Sequence, residues 1–368
     1  MVKQVTSYVG QKVRALKFLK GAKGAACLEG DECSVPLLVA GGYDSQDNTS
    51  IALLFPQMPT VDEMELAEEF EADSTTEIVE LNSVRHAGDV TSLGFLSVNN
   101  TDFVISGSSN GSLYCNSIVK AEASLALKPE TIAQWENLSV GSLSGIDTDS
   151  NSASIVAASE SGQVAWANLG RVGDIQVLDV DGWAVNDVKM LGINSHIALA
   201  CANPRRTLQL WDLTASQRAP VSTCFDSTGA FTCIATHPTR PELLFTGSSE
   251  GYLAIWDRRM LANGALRTER KHRKAVRSIK CHDTLPGFIY SCGEDNVVLS
   301  WDFYASKKPT EKVDYERHSQ VGVDSLDVRT IDHGTLPYNA LDIDGVSNTL
   351  VAGSDNHSIL LCEDVTTP

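Results

Sequence analysis

The sequence predicts an all-β fold, assembled from one strand–turn–strand unit that recurs seven times along the chain. Three observations carry that reading. First, Trp166, Trp211, Trp256 and Trp301 recur at a constant interval of 45 residues. Second, the last three each follow a short apolar strand and precede an aspartate: Leu208-Gln209-Leu210 before Trp211-Asp212, Leu253-Ala254-Ile255 before Trp256-Asp257, and Val297-Val298-Leu299 before Trp301-Asp302. Third, a turn of small residues precedes the strand, as in Thr246-Gly247-Ser248-Ser249-Glu250-Gly251, and another apolar strand precedes the turn, as in Leu243-Leu244-Phe245. Self-similarity at such a period marks a repeat architecture.

The units can be placed in chain order from that frame. The first is Leu37-Leu38-Val39-Ala40-Gly41-Gly42, then Ile51-Ala52-Leu53-Leu54. The second lacks a tryptophan and runs from Phe103-Val104-Ile105-Ser106 through the turn at 107–111 to Ser112-Leu113-Tyr114. The third to sixth are centred on the four tryptophans, and the seventh is Thr349-Leu350-Val351-Ala352-Gly353-Ser354-Asp355-Asn356 before Ile359-Leu360-Leu361. Reference positions are thus 54, 116, 166, 211, 256, 301 and 361. The residues in excess of seven periods fall mainly before 116 and before 361. The expectation is a single domain over 1–368, with an acidic insertion near 56–85 and a longer connection near 303–335.

Strand, tight turn and strand at this period resemble the WD-repeat family. The resemblance implies a seven-bladed WD40 β-propeller closed by an N-terminal strand. One four-stranded sheet cannot bury both faces alone, whereas a closed ring buries them against each other and leaves only short edges. Gln4-Val5-Thr6-Ser7-Tyr8-Val9 is expected to complete the seventh blade and join the chain ends. In the sixth blade His272, Ser291, Asp295 and Trp301 stand at the spacing of the family's structural tetrad, which implies a hydrogen-bonded chain of buried polar groups. Blade five keeps only Thr246, Glu250 and Trp256, and blade four has Cys201 and Arg205 at the corresponding places, so packing must hold the degenerate blades.

Composition narrows the function classes. Of 368 residues 42% are apolar and 21% charged, which excludes a wholly disordered chain, a collagen and a disulfide miniprotein. No run of eighteen apolar residues offers a spanning helix. Residues 1–23 carry six basic side chains and no apolar core, unlike a secretory signal. Nine cysteines, an odd number with no C-x-x-C, are expected as reduced thiols of an intracellular protein, with neither metal nor cofactor.

No catalytic motif survives its context. Gly107-Ser108-Ser109-Asn110-Gly111 and Gly247-Ser248-Ser249-Glu250-Gly251 match G-x-S-x-G, but a nucleophile elbow needs a strand, a turn and a helix. Both lie in equivalent turns between strands of a repeat, and a nucleophile would not be duplicated that way. There is no H-E-x-x-H, Walker or G-x-G-x-x-G loop. His86, in Arg85-His86-Ala87-Gly88-Asp89-Val90, reads as a structural histidine of blade two.

The formal charge of -18 is unevenly spread. Residues 62–80 hold nine acidic side chains and no basic one; residues 258–280 hold nine basic ones against Glu269. Arg258, Arg259, Arg270, Lys271, Arg273 and Lys274 are candidate partner-binding residues. Nucleic acid is disfavoured, because the run lacks interleaved aromatics and the chain is acidic overall. Oppositely charged loops suit protein docking better. Trp256-Asp257-Arg258-Arg259 also fits the W-D-x-R pattern of WD-repeat substrate receptors of cullin-4 ubiquitin ligases, in which the arginine reaches the adaptor.

A closer resemblance spans most of the chain. Tyr8-Val9-Gly10-Gln11-Lys12-Val13, Arg85-His86-Ala87-Gly88-Asp89-Val90, the long approach 306–334 and Leu336-Pro337-Tyr338-Asn339-Ala340-Leu341-Asp342-Ile343 are similar in order to the small WD-repeat nucleoporins of the Y-shaped outer-ring complex. That resemblance implies a non-enzymatic scaffold at the nuclear envelope. It would bind an α-helical short-arm subunit, support pore assembly and the transport of protein and mRNA, and in animal cells visit kinetochores. No family contact residue maps onto a motif here.

Overall fold

The computed structural model describes residues 3–21, 36–44, 49–57, 77–121, 124–130, 141–170, 175–180, 182–191, 196–201 (as backbone), 206–213, 219–225, 228–303 and 326–366. Its strands build an all-β propeller. Blade one consists of β2 (Lys12–Phe18), β3 (Leu38–Tyr43), β4 (Ser50–Gln57) and β5 (Glu77–Arg85). Blade two consists of β6 (Val90–Val98), β7 (Thr101–Ser108), β8 (Leu113–Lys120) and β9 (Leu125–Glu130). Blade three is β10 (Leu143–Asp149), β11 (Ser154–Ser159), β12 (Gln163–Asn168) and β13 (Gln176–Asp179). Blade four is β14 (Val185–Met190), β15 (His196–Cys201), β16 (Thr207–Asp212) and β17 (Ser222–Phe225). Blade five is β18 (Phe231–Thr236), β19 (Leu243–Ser248), β20 (Tyr252–Asp257) and β21 (Arg267–Arg270). Blade six is β22 (Val276–Cys281), β23 (Phe288–Gly293), β24 (Val297–Asp302) and β25 (Asp327–His333). The seventh sheet takes β26 (Tyr338–Asp344), β27 (Thr349–Ser354) and β28 (Ser358–Glu363) from the C-terminal end and β1 (Lys3–Tyr8) from the N-terminal end.

Pairing is antiparallel throughout, and β1 lies on β28 from Lys3↔Glu363 to Tyr8↔Ser358. The two chain ends are thereby fastened into one sheet. The first strands of successive blades are neighbours around the axis, and β26 returns to β2, so the ring closes.

The core lies between the sheets. Val39, Ile51 and Leu53 of blade one pack on Val90, Leu93 and Val104 of blade two, while Val13, Leu38 and Leu54 on its other side meet Val351, Ile359 and Leu361 of the seventh. Each such side chain contributes about 1.5–3 kcal/mol on full burial. Strands buried on both faces read as near-continuous apolar runs, as in Ser154–Ser159 and Leu243–Ser248. The turn to the third strand recurs with positive φ at Gly111, Gly162 and Gly251, and at Asn296 in blade six. A Cβ on Gly251 would sit 2.3 Å from the His272 carbonyl oxygen, so glycine is required there.

The two expected long connections are narrower than their sequence bounds. Glu77–Arg85 is not loop but the outer strand β5, paired with β4, and Asp327–His333 is β25, paired with β24. Charge density and low hydropathy concealed both, because an outer strand is half solvated and needs little apolar content. The remaining acidic residues at 62–76 and the connection at 304–325 lie outside the described residues.

Candidate functional site and interaction surfaces

His272 sits in the loop between β21 and β22, Ser291 on β23, Asp295 in the β23–β24 turn and Trp301 on β24. The side chains form one chain. Trp301 Nε1–H donates to Ser291 Oγ at 2.8 Å, His272 Nε2 lies 2.7 Å from that oxygen, and His272 Nδ1 lies 2.9 Å from Asp295 Oδ1. One tautomer satisfies every partner: Nδ1–H donates to Asp295, and Nε2 accepts the Ser291 hydroxyl. Asp295 also accepts the Arg273 N–H at 2.8 Å. Burial works against the Asp295 charge, but the His272 and Arg273 hydrogen bonds prevail and hold its pKa below the ordinary value. His272, Ser291 and Trp301 are at most 1% exposed, so this network orders the blade rather than meeting a ligand.

Other blades keep fragments of it. Trp256 Nε1–H donates to Thr246 Oγ1 at 2.9 Å; His86 Nε2 lies 3.2 Å from Ser106 Oγ; and Trp211 Nε1–H is satisfied within its own strand by Gln209 Oε1 at 3.0 Å. Of the blade-four counterparts, Arg205 and the Cys201 side chain lie outside the described residues. The G-x-S-x-G turns have the same kind of structural duty. Ser109 Oγ accepts the Asp89 N–H at 2.9 Å and Ser249 Oγ accepts the Ala230 N–H at 3.2 Å, tying each turn to the loop that enters its blade.

The basic run 258–280 is not one patch. β20 runs from Tyr252, opposite Arg270, to Asp257 at its other end. Arg270, Lys271, Arg273 and Lys274 therefore lie on one face of the ring, and Arg258 and Arg259 on the opposite face, roughly 17 Å away at about 3.4 Å per strand residue. Several of these cations are already engaged. Asp257 takes Arg259 Nη2 at 2.6 Å and Nε at 3.0 Å, Arg258 Nη1 donates to the Leu191 carbonyl at 3.4 Å, and Arg270 donates to the Glu250 carbonyl at 2.9 Å while stacking over Tyr252. Lys271, Arg273 and Lys274 are exposed. On the other face, Arg258–Asn263 is a 3-10 helix next to β17, and Val221, Met260 and Leu266 are 63%, 50% and 49% exposed around it. That corner combines apolar area with two arginines.

Sequence reasoning did not find the central channel. Every first strand carries a β-bulge at the same place, and the bulged residue faces the axis: Arg14, Thr91, Ser144, Asn186, Thr232, Arg277 and Asn339. These residues border a cavity of about 330 Å³. The inner edge of each sheet has no neighbouring strand, so its backbone groups need other partners. Side chains of the preceding blade supply them. Ser144 Oγ donates to the Val185 carbonyl, Asn186 Nδ2 to that of Phe231 at 2.6 Å, Thr232 Oγ1 to that of Val276 at 2.5 Å, and Asn339 Nδ2 to that of Val13 at 3.3 Å. A signal was present: an apolar residue, a polar or charged one, a third usually small, then an aliphatic, as in Val13-Arg14-Ala15-Leu16, Val90-Thr91-Ser92-Leu93 and Val276-Arg277-Ser278-Ile279. The spacing of this motif varies with loop length, which hides it from a search at a fixed period.

Three residues beyond each bulged residue, toward the far face, the strands place Lys17, Gly94, Asp147, Lys189, Ala235, Lys280 and Asp342 at one level. Asp342 is 2% exposed, accepts the Phe18 N–H at 2.8 Å and pairs with Lys280 at 3.4 Å. Asp147 accepts the Met190 N–H at 2.8 Å and pairs with Lys189 at 3.3 Å. Burial disfavours the Asp342 charge, yet Lys280, Lys17 and Lys20 outweigh it and hold that carboxyl far below its ordinary range. Lys17 is brought down to about 8, first by the Lys280 charge, with Asp342 offsetting only part of it. Burial also disfavours the Lys189 charge, and Asp147 and Asp187 prevail to raise its pKa.

With this geometry in view, the similarity to known proteins is specific. A stretch of 124 residues is 24% identical to the nuclear pore complex protein nup43 of Dictyostelium discoideum, covering 34% of this chain and 29% of that protein. A stretch of 98 residues is 26% identical to the nucleoporin Nup43 of Homo sapiens, covering 26% of this chain and 25% of that one. The chain is a β-propeller similar to Nup43. For the Mus musculus nucleoporin Nup43 the identity is 23% over 154 residues, covering 34% of this chain and 40% of that protein. The matched region thus spans between a quarter and two fifths of the curated Nup43 relatives. No protein-family model matches the chain. Among the described residues, no helix is long and apolar enough to cross a membrane.

Proposed function

We propose that this chain is a non-enzymatic scaffold subunit of the nuclear pore complex. In this reading it belongs to the outer-ring Y complex at the nuclear envelope, binds an α-helical nucleoporin, and supports pore assembly and the transport of protein and mRNA. The observation that carries the reading is similarity to Nup43 from organisms as distant as Dictyostelium discoideum and Homo sapiens, on a chain that repeats as a propeller. The use of the polar side chains agrees with it. The tetrad and the G-x-S-x-G serines are engaged in ordering single blades, and most bulged residues in joining neighbouring ones. The corner formed by Val221, Met260, Leu266, Arg258 and Arg259, and the loop with Lys271, Arg273 and Lys274, are the surfaces offered to partners. A stable contact would bury about 1,200–2,000 Å² in total, which one propeller face can supply. Affinity purification from native cells followed by mass spectrometry should recover the Y-complex nucleoporins; recovery of none of them would overturn the proposal.

A second reading, a substrate receptor of a cullin-4 ligase, rests on Arg259. Its side chain is 69% exposed and its guanidinium is held in place by Asp257. In this reading Arg259→Ala abolishes binding to the adaptor; unchanged binding removes it.

A further inference from the structure

We propose that the mouth of the central channel is a docking site for an acidic side chain of a partner polypeptide, held by Arg14 and Arg277. The site goes beyond the scaffold reading and does not depend on it. The first strands begin at the face that carries Lys271, Arg273 and Lys274, so the bulged residues border the mouth on that face. Arg14 and Arg277 come from blades one and six, with only the seventh blade between them, and both line the cavity of about 330 Å³. That volume is at the small end of ligand pockets and suits a side chain or two rather than a folded element. Arg14 is half-buried, and its guanidinium makes neither an ion pair nor a hydrogen bond among the described residues. It lies instead 5.9 Å from the centre of the Tyr43 ring. Tyr43 is pinned in turn: its hydroxyl donates to Asp355, which also accepts the Asn339 Nδ2–H at 2.6 Å. The cation is thus positioned on an aromatic ring while its planar fork of donors, the shape that matches a carboxylate, stays open. Arg277 pairs with Glu294 through Nη2 alone.

The other side of the mouth has the opposite character. Ser144 and Thr232 spend their only hydroxyl hydrogen on the carbonyls of Val185 and Val276, so toward the channel they can only accept. Glu160, exposed at the β11–β12 turn, borders the same cavity, and its carboxylate has no partner among the described residues. A carboxylate is therefore drawn to the side of Arg14 and Arg277, and a basic group to the side of Glu160. This polarity fits a segment in which an acidic residue has a basic one close to it in sequence. Apolar side chains on the same face say that the ligand is a polypeptide. Trp183, 46% exposed, stands in the loop entering β14, and Leu336, 42% exposed, in the loop entering β26. A small carboxylate inside the cavity would leave both in water, whereas a chain crossing the face can cover them. Tryptophan and arginine are also the residues that most often dominate a protein interface. Lys271, Arg273 and Lys274, exposed beside the mouth, add attraction for an acidic segment before contact.

The test offers the immobilised full chain two libraries of end-blocked nonapeptides, one fixed as glutamate and one as glutamine at the centre, both mixed elsewhere. Captured peptides are identified by mass spectrometry, and their affinities are measured by fluorescence anisotropy. The variants are Arg14→Gln, Glu160→Gln and a surface control carrying Lys271→Ala, Arg273→Ala and Lys274→Ala, each checked for folding by circular dichroism. The expected result is enrichment from the glutamate library alone, with lysine or arginine recurring near the centre. Affinity for an enriched peptide should fall about tenfold or more in Arg14→Gln, as for loss of a charged hydrogen bond, and stay within about threefold in the control. Glu160→Gln should lose the preference for the basic residue and keep the glutamate. No capture, equal enrichment from both libraries, equal affinity of the folded Arg14→Gln variant, an unchanged basic preference in Glu160→Gln, or loss confined to the surface control overturns the site. Binding of N-acetylglutamate as tight as that of the peptides overturns the polypeptide partner in favour of a small carboxylate.

Discussion

Replacing Trp301 with alanine tests the packing logic of the whole ring. The side chain is 0% exposed, lies among Ile289, Leu299 and Phe303 in the cluster between blades five and six, and donates its indole N–H to Ser291. Truncating a buried large aromatic costs about 3–5 kcal/mol through lost transfer energy and an incompletely collapsed cavity. The hydrogen bond can be separated from the volume. Trp301→Phe keeps most of the packing and should cost about 1–2 kcal/mol, the net worth of one buried hydrogen bond plus a small void. Ser291→Ala leaves both the Trp301 N–H and His272 Nε2 without their partner, for about 2–4 kcal/mol. Combining Trp301→Phe with Ser291→Ala should then cost less than the sum, because residues of one network couple. Equilibrium urea unfolding followed by far-ultraviolet circular dichroism reads all four proteins without relying on the removed fluorophore. A loss below about 1 kcal/mol for Trp301→Ala, or strict additivity of the double variant, would refute the account.

Three further outcomes follow from other parts of the structure. Asp342→Asn strands Lys280 in the channel and weakens the acceptor for the Phe18 N–H, so thermal or urea unfolding should report a loss of about 3–5 kcal/mol; a neutral result would mean the pair is solvated. Removal of residues 1–8 strips β1 from β28 and exposes that edge. The truncated protein should melt several degrees lower and associate on size-exclusion chromatography, and a monomer with unchanged Tm would show that the ring does not need the strand. Acidification should destabilise the fold. Burial lowers the pKa of His86, His237 and His282 from the 6.5 of the unfolded chain, so stability is complete above that value and falls as pH drops below it, when only the unfolded chain takes up protons. Asp295 and Asp342, both lowered from 3.8, add a second loss as pH falls below about 4, while Asp187, raised by burial, opposes it. A Tm that stays level or rises between pH 7 and pH 5 would contradict this sign.

Much of the fold was legible because its signals are local. Trp256 and Trp301 sit at the same place in two short strands, and the turn before each is built from residues adjacent in sequence. His272, Ser291, Asp295 and Trp301 fall within thirty residues of one another, so spacing alone could nominate them. β5 and β25 were harder, since a half-solvated outer strand rich in acidic or polar residues reads like a loop. The basic run misled in the other direction. Arg259 and Arg270 are close along the chain, yet β21 runs back across the blade between them and places them on opposite faces.

By itself, then, the sequence determined the repeat unit, its tryptophan-bearing strand and the blade-six network, since each depends on hydrogen bonds and hydrophobic periodicity within a few tens of residues. Tertiary structure alone decided the channel. Lys17 and Asp342 are 325 residues apart and meet only because β1 closes the ring on β28 and sets β26 against β2. The bulged residues acquire a common direction only when seven sheets surround one axis. Their charges then act on one another at short range in a partly desolvated space, an interaction between places on a closed ring that no window along the chain contains.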